Sequence, residues 1–255
     1  MRTSLLCALS FALLSGCAAP KTRAIDPAAL GSLKDQMVAR TARATPTFGI
    51  LSIGDAPFGW LGWLGGHAGM AEGNKVIAEN HVADPSQAIA AALSKALEVG
   101  RGAHALAEPV FVDTGDAAQI AAIASAKARF VVDVETVNWG FLYFPTNWTH
   151  YRVLYKAKAR LIDAETKAVV AEGFCRLLPE DSGNAPTYDE LLAKDATMLK
   201  ATLARYAVEC ARSLKREMLA LGDTGDDAAT VTAPASPAAD REPALGEAAV
   251  AGTEQ

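Results

Sequence analysis

Arg129–Val137 reads RFVVDVETV, His150–Asp163 reads HYRVLYKAKARLID, and Ala168–Leu178 reads AVVAEGFCRLL. Side chains alternate between the two faces of a strand, so the middle segment divides cleanly. Tyr151, Val153, Tyr155, Ala157, Ala159 and Leu161 take one face, and Arg152, Lys156, Lys158 and Arg160 take the other. Pairing Glu135 with Lys158 brings Asp133 opposite Arg160, and the tight polar turn Ala164–Lys167 brings Glu172 beside Lys158. Direct cross-strand neighbours of opposite charge stabilise such a register. The expectation is three antiparallel strands with an apolar face on a core and an ionic ladder on a solvated face; a basic ligand-binding strip is the alternative, against which stand the acids available to neutralise it.

Outward from this meander, Phe48–Ile53 reads as a short buried strand closed by Gly54-Asp55-Ala56-Pro57. Asp84-Pro85 opens a helix whose stripe is Ile89, Leu93 and Leu97, and Gly100 and Gly102 close it. Pro109–Val112 reads as a second strand, and Ile120, Ile123 and Ala124 mark a helix after it. Tyr188–Leu221 reads as one long helix with Leu199, Leu203, Tyr206, Cys210, Leu214 and Met218 on its buried stripe. The predicted fold is a two-layer α/β domain over residues 47–221, ordered β-α-β-α-β-β-β-α, with a mixed sheet, a long antiparallel hairpin and a long C-terminal helix. Cys175 falls on the apolar face beside Ala157, so it and Cys210 point into the same core layer. That placement favours a disulfide between them; two separate buried thiols are the alternative.

Met1–Gly16 has a basic start at Arg2 and a short apolar run, Leu5–Leu14, too short to span a bilayer. Leu14-Ser15-Gly16-Cys17 resembles the lipobox of bacterial lipoproteins. The resemblance implies cleavage after residue 16, a diacylglyceryl thioether on Cys17 and an acylated new amino terminus, palmitate among the chains. Several acyl chains anchor stably where one binds only marginally. With Ala18 rather than Asp after the cysteine, the resemblance points to the periplasmic face of the outer membrane. Residues 17–46 read as a tether with at most a helical turn near Leu30–Val38. Residues 222–255 carry seven acids against Arg241, are rich in Ala and Pro, and read as a disordered tail. The remainder is close to neutral, which leaves no electrostatic footprint for nucleic acid.

No metal-ligand spacing, phosphate loop or nucleophile elbow is present: His67, His81, His104 and His150 stand apart, and Gly62–Gly69 lacks the Lys-Ser/Thr of a phosphate site. Asp133 and Glu135 could pass for a catalytic pair, but they face bases. The expectation is no enzyme, no metal and no cofactor. Aromatic clusters remain. FGWLGWLGGHAGMAEG (Phe58–Gly73) holds Trp60 and Trp63, with Gly65, Gly69 and Gly73 at four-residue spacing, as if for close helix approach. NWGFLYFPTNWT (Asn138–Thr149), read as a connection, holds Trp139 and Trp148. Trp60, Trp63, Gly65, Gly69, Trp139 and Trp148 are the candidate interaction residues, and cover for the sheet is their structural alternative.

Phe48–Ile53, Arg129–Val137 followed by Asn138-Trp139, and Ala159–Asp163 before Thr166 and Val169-Val170-Ala171 carry a further resemblance. Residues 47–220 are similar to the α/β domain of periplasmic lipoproteins related to the curli-secretion lipoprotein. The Tol propeller amino-terminal domain and the lipoprotein activators of penicillin-binding proteins share that architecture. The resemblance implies a non-enzymatic lipoprotein that binds or scaffolds an envelope component. The other reading is a self-assembling subunit of an envelope secretion or transport complex. A protein partner or a homo-oligomer is therefore expected, together with the membrane reached through the lipid.

Overall fold

The computed structural model describes residues 22–51 and 67–222. Its elements in chain order are α1 (Pro27–Ser32), β1 (Met37–Ala42), β2 (Gly49–Leu51), α2 (His67–Glu79), α3 (Pro85–Arg101), β3 (His104–Ala105), β4 (Val110–Phe111), α4 (Ala117–Ala124), β5 (Phe130–Phe144), β6 (Asn147–Asp163), β7 (Ala168–Leu177) and α5 (Tyr188–Glu217). The sheet runs β3-β1-β5-β6-β7, with β4 also on β1 and β2 also on β5. β1 and β2 lie parallel to β5, whereas β5, β6 and β7 form an antiparallel meander. The mixed α/β fold is as expected, and so is the register: Asp133 faces Arg160, Glu135 faces Lys158, and Cys175 faces Ala157.

The tether expectation is corrected where the structure describes it. Within 22–46 lies β1, paired with β3, β4 and β5. Upstream of it, α1 is capped by Asp26, whose carboxylate accepts from the Ala28 amide at 2.8 Å. Ile25, Ala29 and Leu33 recur at four-residue spacing, and with Val38 they are all buried in the main core. Arg23 closes the free edge of β7, exchanging backbone hydrogen bonds with Glu172 at 2.7 and 2.9 Å. The folded domain therefore takes in residues 22–46 as well, ahead of the expected start at 47.

The connection Asn138–Thr149 is strand as well. β5 continues to Phe144, Pro145-Thr146 turns, and β6 starts at Asn147. A bulge leaves Val137 without a partner between the Thr136–Ala157 and Asn138–Lys156 pairs. One extra residue reverses the alternation downstream. Val132 and Val134 face the main core before the bulge, and Trp139 and Phe141 face it afterwards.

α1, α2, α3 and α5 supply the main core on one face, while α4 covers a patch of the other through Ile120, Ala121 and Ala124 against Val131 and Ile162. Cys175 and Cys210 are bonded, their Cα atoms 5.5 Å apart, pinning α5 to β7. Gly173 allows that approach, since a Cβ there would sit 2.6 Å from Leu214 Cδ2. α5 opens with a reciprocal cap between Thr187 and Glu190. It is not one unbroken helix. Ala193 is extended, and Lys194, Asp195 and Ala196 take left-handed φ values of 52°, 55° and 53°. Leu191, Ala196 and Leu199, all fully buried, seat both halves of the broken helix on the core.

Two stability measurements test these features. Replacing both cysteines (Cys175→Ala with Cys210→Ala) should lower the unfolding free energy in urea by about 3–4 kcal/mol, because the bridge closes a loop of 35 residues' separation. Lys194→Gly, at an exposed left-handed position, should raise it by about 1 kcal/mol; an unchanged or lowered midpoint would contradict the left-handed turn.

Candidate functional site

The charged sheet face departs from the expected solvated ladder at one end. Asp133 is 1% exposed and Arg160 is 6% exposed. Arg160 donates to one Asp133 carboxylate oxygen through Nε at 2.9 Å and Nη2 at 2.5 Å. Arg43 Nη1 donates to the other oxygen at 2.5 Å, and the Thr41 hydroxyl does so at 2.9 Å. The same guanidiniums reach onward to the Thr114 and Gly115 carbonyls, each at 3.0 Å. The loop ahead of α4 is thereby clamped over the ion cluster and shuts it from water. Both Asp133 carboxylate oxygens are thus engaged by side-chain donors. Farther along the face Lys158 Nζ lies 2.9 Å from Glu172, a diagonal contact, since the register sets Glu172 opposite Arg160 and Lys158 opposite Phe174.

A second polar group lies inside the main core. Thr136 donates its hydroxyl to Asp84 at 2.5 Å and stands 3.1 Å from the Tyr155 phenol. Burial, then the Asp84 charge, pushes the Tyr155 phenol well above its ordinary range, so it remains neutral. Asp84 also caps α3, accepting from the Ser86 amide at 2.9 Å. The cap was legible from Asp84-Pro85; its second partner across the fold left no local signal.

The aromatic candidates separate. Trp139 is 1% exposed, so it presents no contact surface. Its indole N–H donates to the Pro46 carbonyl at 3.1 Å, and its ring meets Phe48 edge-on at 4.8 Å between centroids. Phe48, Phe141, Tyr151 and Tyr188 continue that edge-to-face cluster. Tyr188 ties α5 to α2 by donating to Glu72 at 2.6 Å, and burial together with this bond raises its phenol pKa. Trp139 is therefore core rather than partner surface, because the Val137 bulge turned it inward. Trp148, by contrast, is 61% exposed beside the hairpin turn, its indole held by the Pro145 carbonyl at 2.6 Å.

Gly69 lies half-buried on α2. Gly73, one turn later, serves an internal contact: a Cβ there would stand 2.1 Å from the Phe48 carbonyl oxygen. The four-residue spacing thus has an intramolecular use at its last member, where α2 meets the chain entering β2. Cys17, Trp60, Trp63 and Gly65 lie outside the described residues. Among the described residues, no group of three or more His, Cys, Asp or Glu side chains gathers as a metal site would need, and no helix is long and apolar enough to cross a membrane.

No protein-family model matches the chain, and no curated protein matches it. Several solved structures resemble its fold. The PelC dodecamer from Paraburkholderia phytofirmans is 12% identical, over 73% of this chain and 95% of that one, with a TM-score of 0.27. The hypothetical protein CT253 from Chlamydia trachomatis is 13% identical, over 72% and 97%, with a TM-score of 0.36. Lipoprotein GNA1162 from Neisseria meningitidis is 12% identical, over 66% and 98%, with a TM-score of 0.23. At these identities and scores the likenesses say nothing of ligand or partner.

Proposed function

We propose that this chain is a non-enzymatic lipoprotein of the bacterial envelope, anchored through Cys17 on the periplasmic face of the outer membrane. There its α/β domain binds or scaffolds another envelope component. The observation that carries the reading is Leu14-Ser15-Gly16-Cys17 at the end of a short apolar run that starts with a basic residue. The Cys175–Cys210 bridge suits it, since disulfides persist in oxidising compartments. The engagement of both Asp133 oxygens by Arg43, Thr41 and Arg160 supports the non-enzymatic part of the reading. A second reading, a self-assembling subunit of a secretion or transport complex, is favoured by the exposed indole of Trp148 beside the hairpin turn.

Metabolic labelling with palmitate tests the anchor. The wild type should incorporate label and sediment with membranes, and Cys17→Ser should lose both. Labelling that persists in the variant would overturn the lipoprotein reading. Light scattering on the detergent-purified protein separates the two functional readings, a monomer favouring the scaffold and a closed ring the assembly subunit.

A further inference from the structure

Beyond the Asp133 cluster, Lys156, Lys158 and Phe174 on the charged face of β6 and β7 are half-buried and Arg176 is exposed, whereas Leu154, between Arg152 and Lys156, is buried. α4 covers only the end of that face, over Val131 and Ile162, and among the described residues no other helix packs on that side. Directly paired residues share a face. Lys156 stands opposite Arg176, and Lys158 stands opposite Phe174. Arg160 stands opposite Glu172, which in turn stands opposite Arg23. Arg152 lies farther along β6, bonded to the Pro179 carbonyl at 3.1 Å and stacked on Phe144 at 5.1 Å. The acids on this strip are Glu135, opposite Lys158, and Glu172, bonded to it. The cations Arg23, Arg152, Lys156, Lys158 and Arg176 outnumber them, with the half-buried ring of Phe174 in their midst.

The path of the chain decides what such a face meets. Arg23 is fixed against Glu172 by two backbone hydrogen bonds, at the border of the strip. Cys17 precedes it by six residues, which reach at most about 20 Å when fully extended. A tether of thirty residues would leave the domain free to turn; one of six holds the strip at the lipid. Phe174 is two residues from Glu172 along β7, and Arg176 is four, at about 3.3 Å per residue. The strip, about 13 Å from Glu172 to Arg176, is thus shorter than the tether's reach and begins where the tether ends. Lysine and arginine stems with an aromatic ring suit a headgroup layer, with apolar parts inward and charge on the phosphates.

We propose that the β6–β7 face bearing Lys156, Lys158, Phe174 and Arg176 docks on anionic lipid headgroups of the membrane that holds Cys17, fixing which side of the domain faces the periplasm. The inference rests on the lipid-anchored reading above. Each cation near an anionic surface favours docking about fivefold.

The test uses the acylated protein. Cys7 leaves with the leader, Cys17 is acylated, and Cys175 is bonded to Cys210, so an introduced cysteine is the one free thiol. A fluorophore is placed at Asn138→Cys, opposite Lys156 on the strip, or at Met198→Cys on α5, whose buried stripe packs on the opposite face of the sheet. Each protein is reconstituted into vesicles carrying a headgroup quencher, either pure phosphatidylcholine or phosphatidylethanolamine with phosphatidylglycerol at about one lipid in four. Quenching should be severalfold stronger at 138 than at 198 in the anionic vesicles only, and should fade in high salt. Adding Lys156→Gln and Lys158→Gln should lower the ratio of docked to undocked protein about twenty-five-fold, at about fivefold per charge, with the melting temperature unchanged. Equal quenching at both positions, or a preference indifferent to lipid charge, overturns this inference while leaving the anchor intact. Protein that fails to float with the vesicles overturns the anchor and this inference together.

Discussion

One carboxylate organises the charged side of this molecule. Asp133 takes Arg43 and Thr41 from β1 and its exit, and Arg160 from β6, and both arginines pass on to the loop before α4. Removing two guanidiniums and a carboxylate from water costs several kcal/mol per ion, so the cluster is no simple source of stability. Its effect is on arrangement. A parallel strand at the amino end must find β5 across some ninety residues of chain, and the ion cluster rewards only the register in which Val38 meets Phe130. A one-residue slip would leave charges buried and unmatched. Breaking such a group by deleting one member is far costlier than replacing all of it.

On the other face the comparable constraint is the bulge at Val137. Without it the alternation of β5 would carry Trp139 and Phe141 to the outside, and the aromatic cluster joining β2, α2, the long hairpin and α5 would not exist. The bulge converts one strand into two that serve the same core: an aliphatic stretch under α3, and an aromatic stretch under α2 and the first turn of α5. Gly73 completes that end, since only a residue without Cβ lets α2 approach the Phe48 carbonyl.

The meander was legible because period-two alternation and opposite charges agree on one register, and because Cys175 and Cys210 fall on the same layer by independent periodicities. β1 was not legible. MVARTA offers one β-branched aliphatic residue and two alanines, and its strand character comes from neighbours on both sides rather than from propensity. The charged face could not be divided by sequence either. Asp133–Arg160, directly opposed, and Lys158–Glu172, diagonal, look alike as charge pairs in the sequence, and only the loop ahead of α4 makes the first buried and the second half-exposed. Trp139 was misplaced because a bulge has no dependable sequence mark, whereas Trp148, next to Pro145-Thr146, stayed exposed. Of the other candidate residues, Cys17, Trp60, Trp63 and Gly65 lie outside the described structure, and their roles rest on the sequence alone.

The position of β1 also bears on how such a chain travels. Of the described strands β1 is made first, yet its partners are His104–Ala105, Val110–Phe111 and Phe130–Val132. The segment at Arg23 that seals β7 waits longer still, for Glu172. Contacts of such large sequence separation form late and slowly. While the front of the polypeptide is still alone it has nothing to fold against, so the order of strands keeps the nascent chain loose. On the lipoprotein reading proposed above, that is the state a leader-bearing precursor would need for passage through a translocation pore. The topology delays its own closure until the last strand has been delivered.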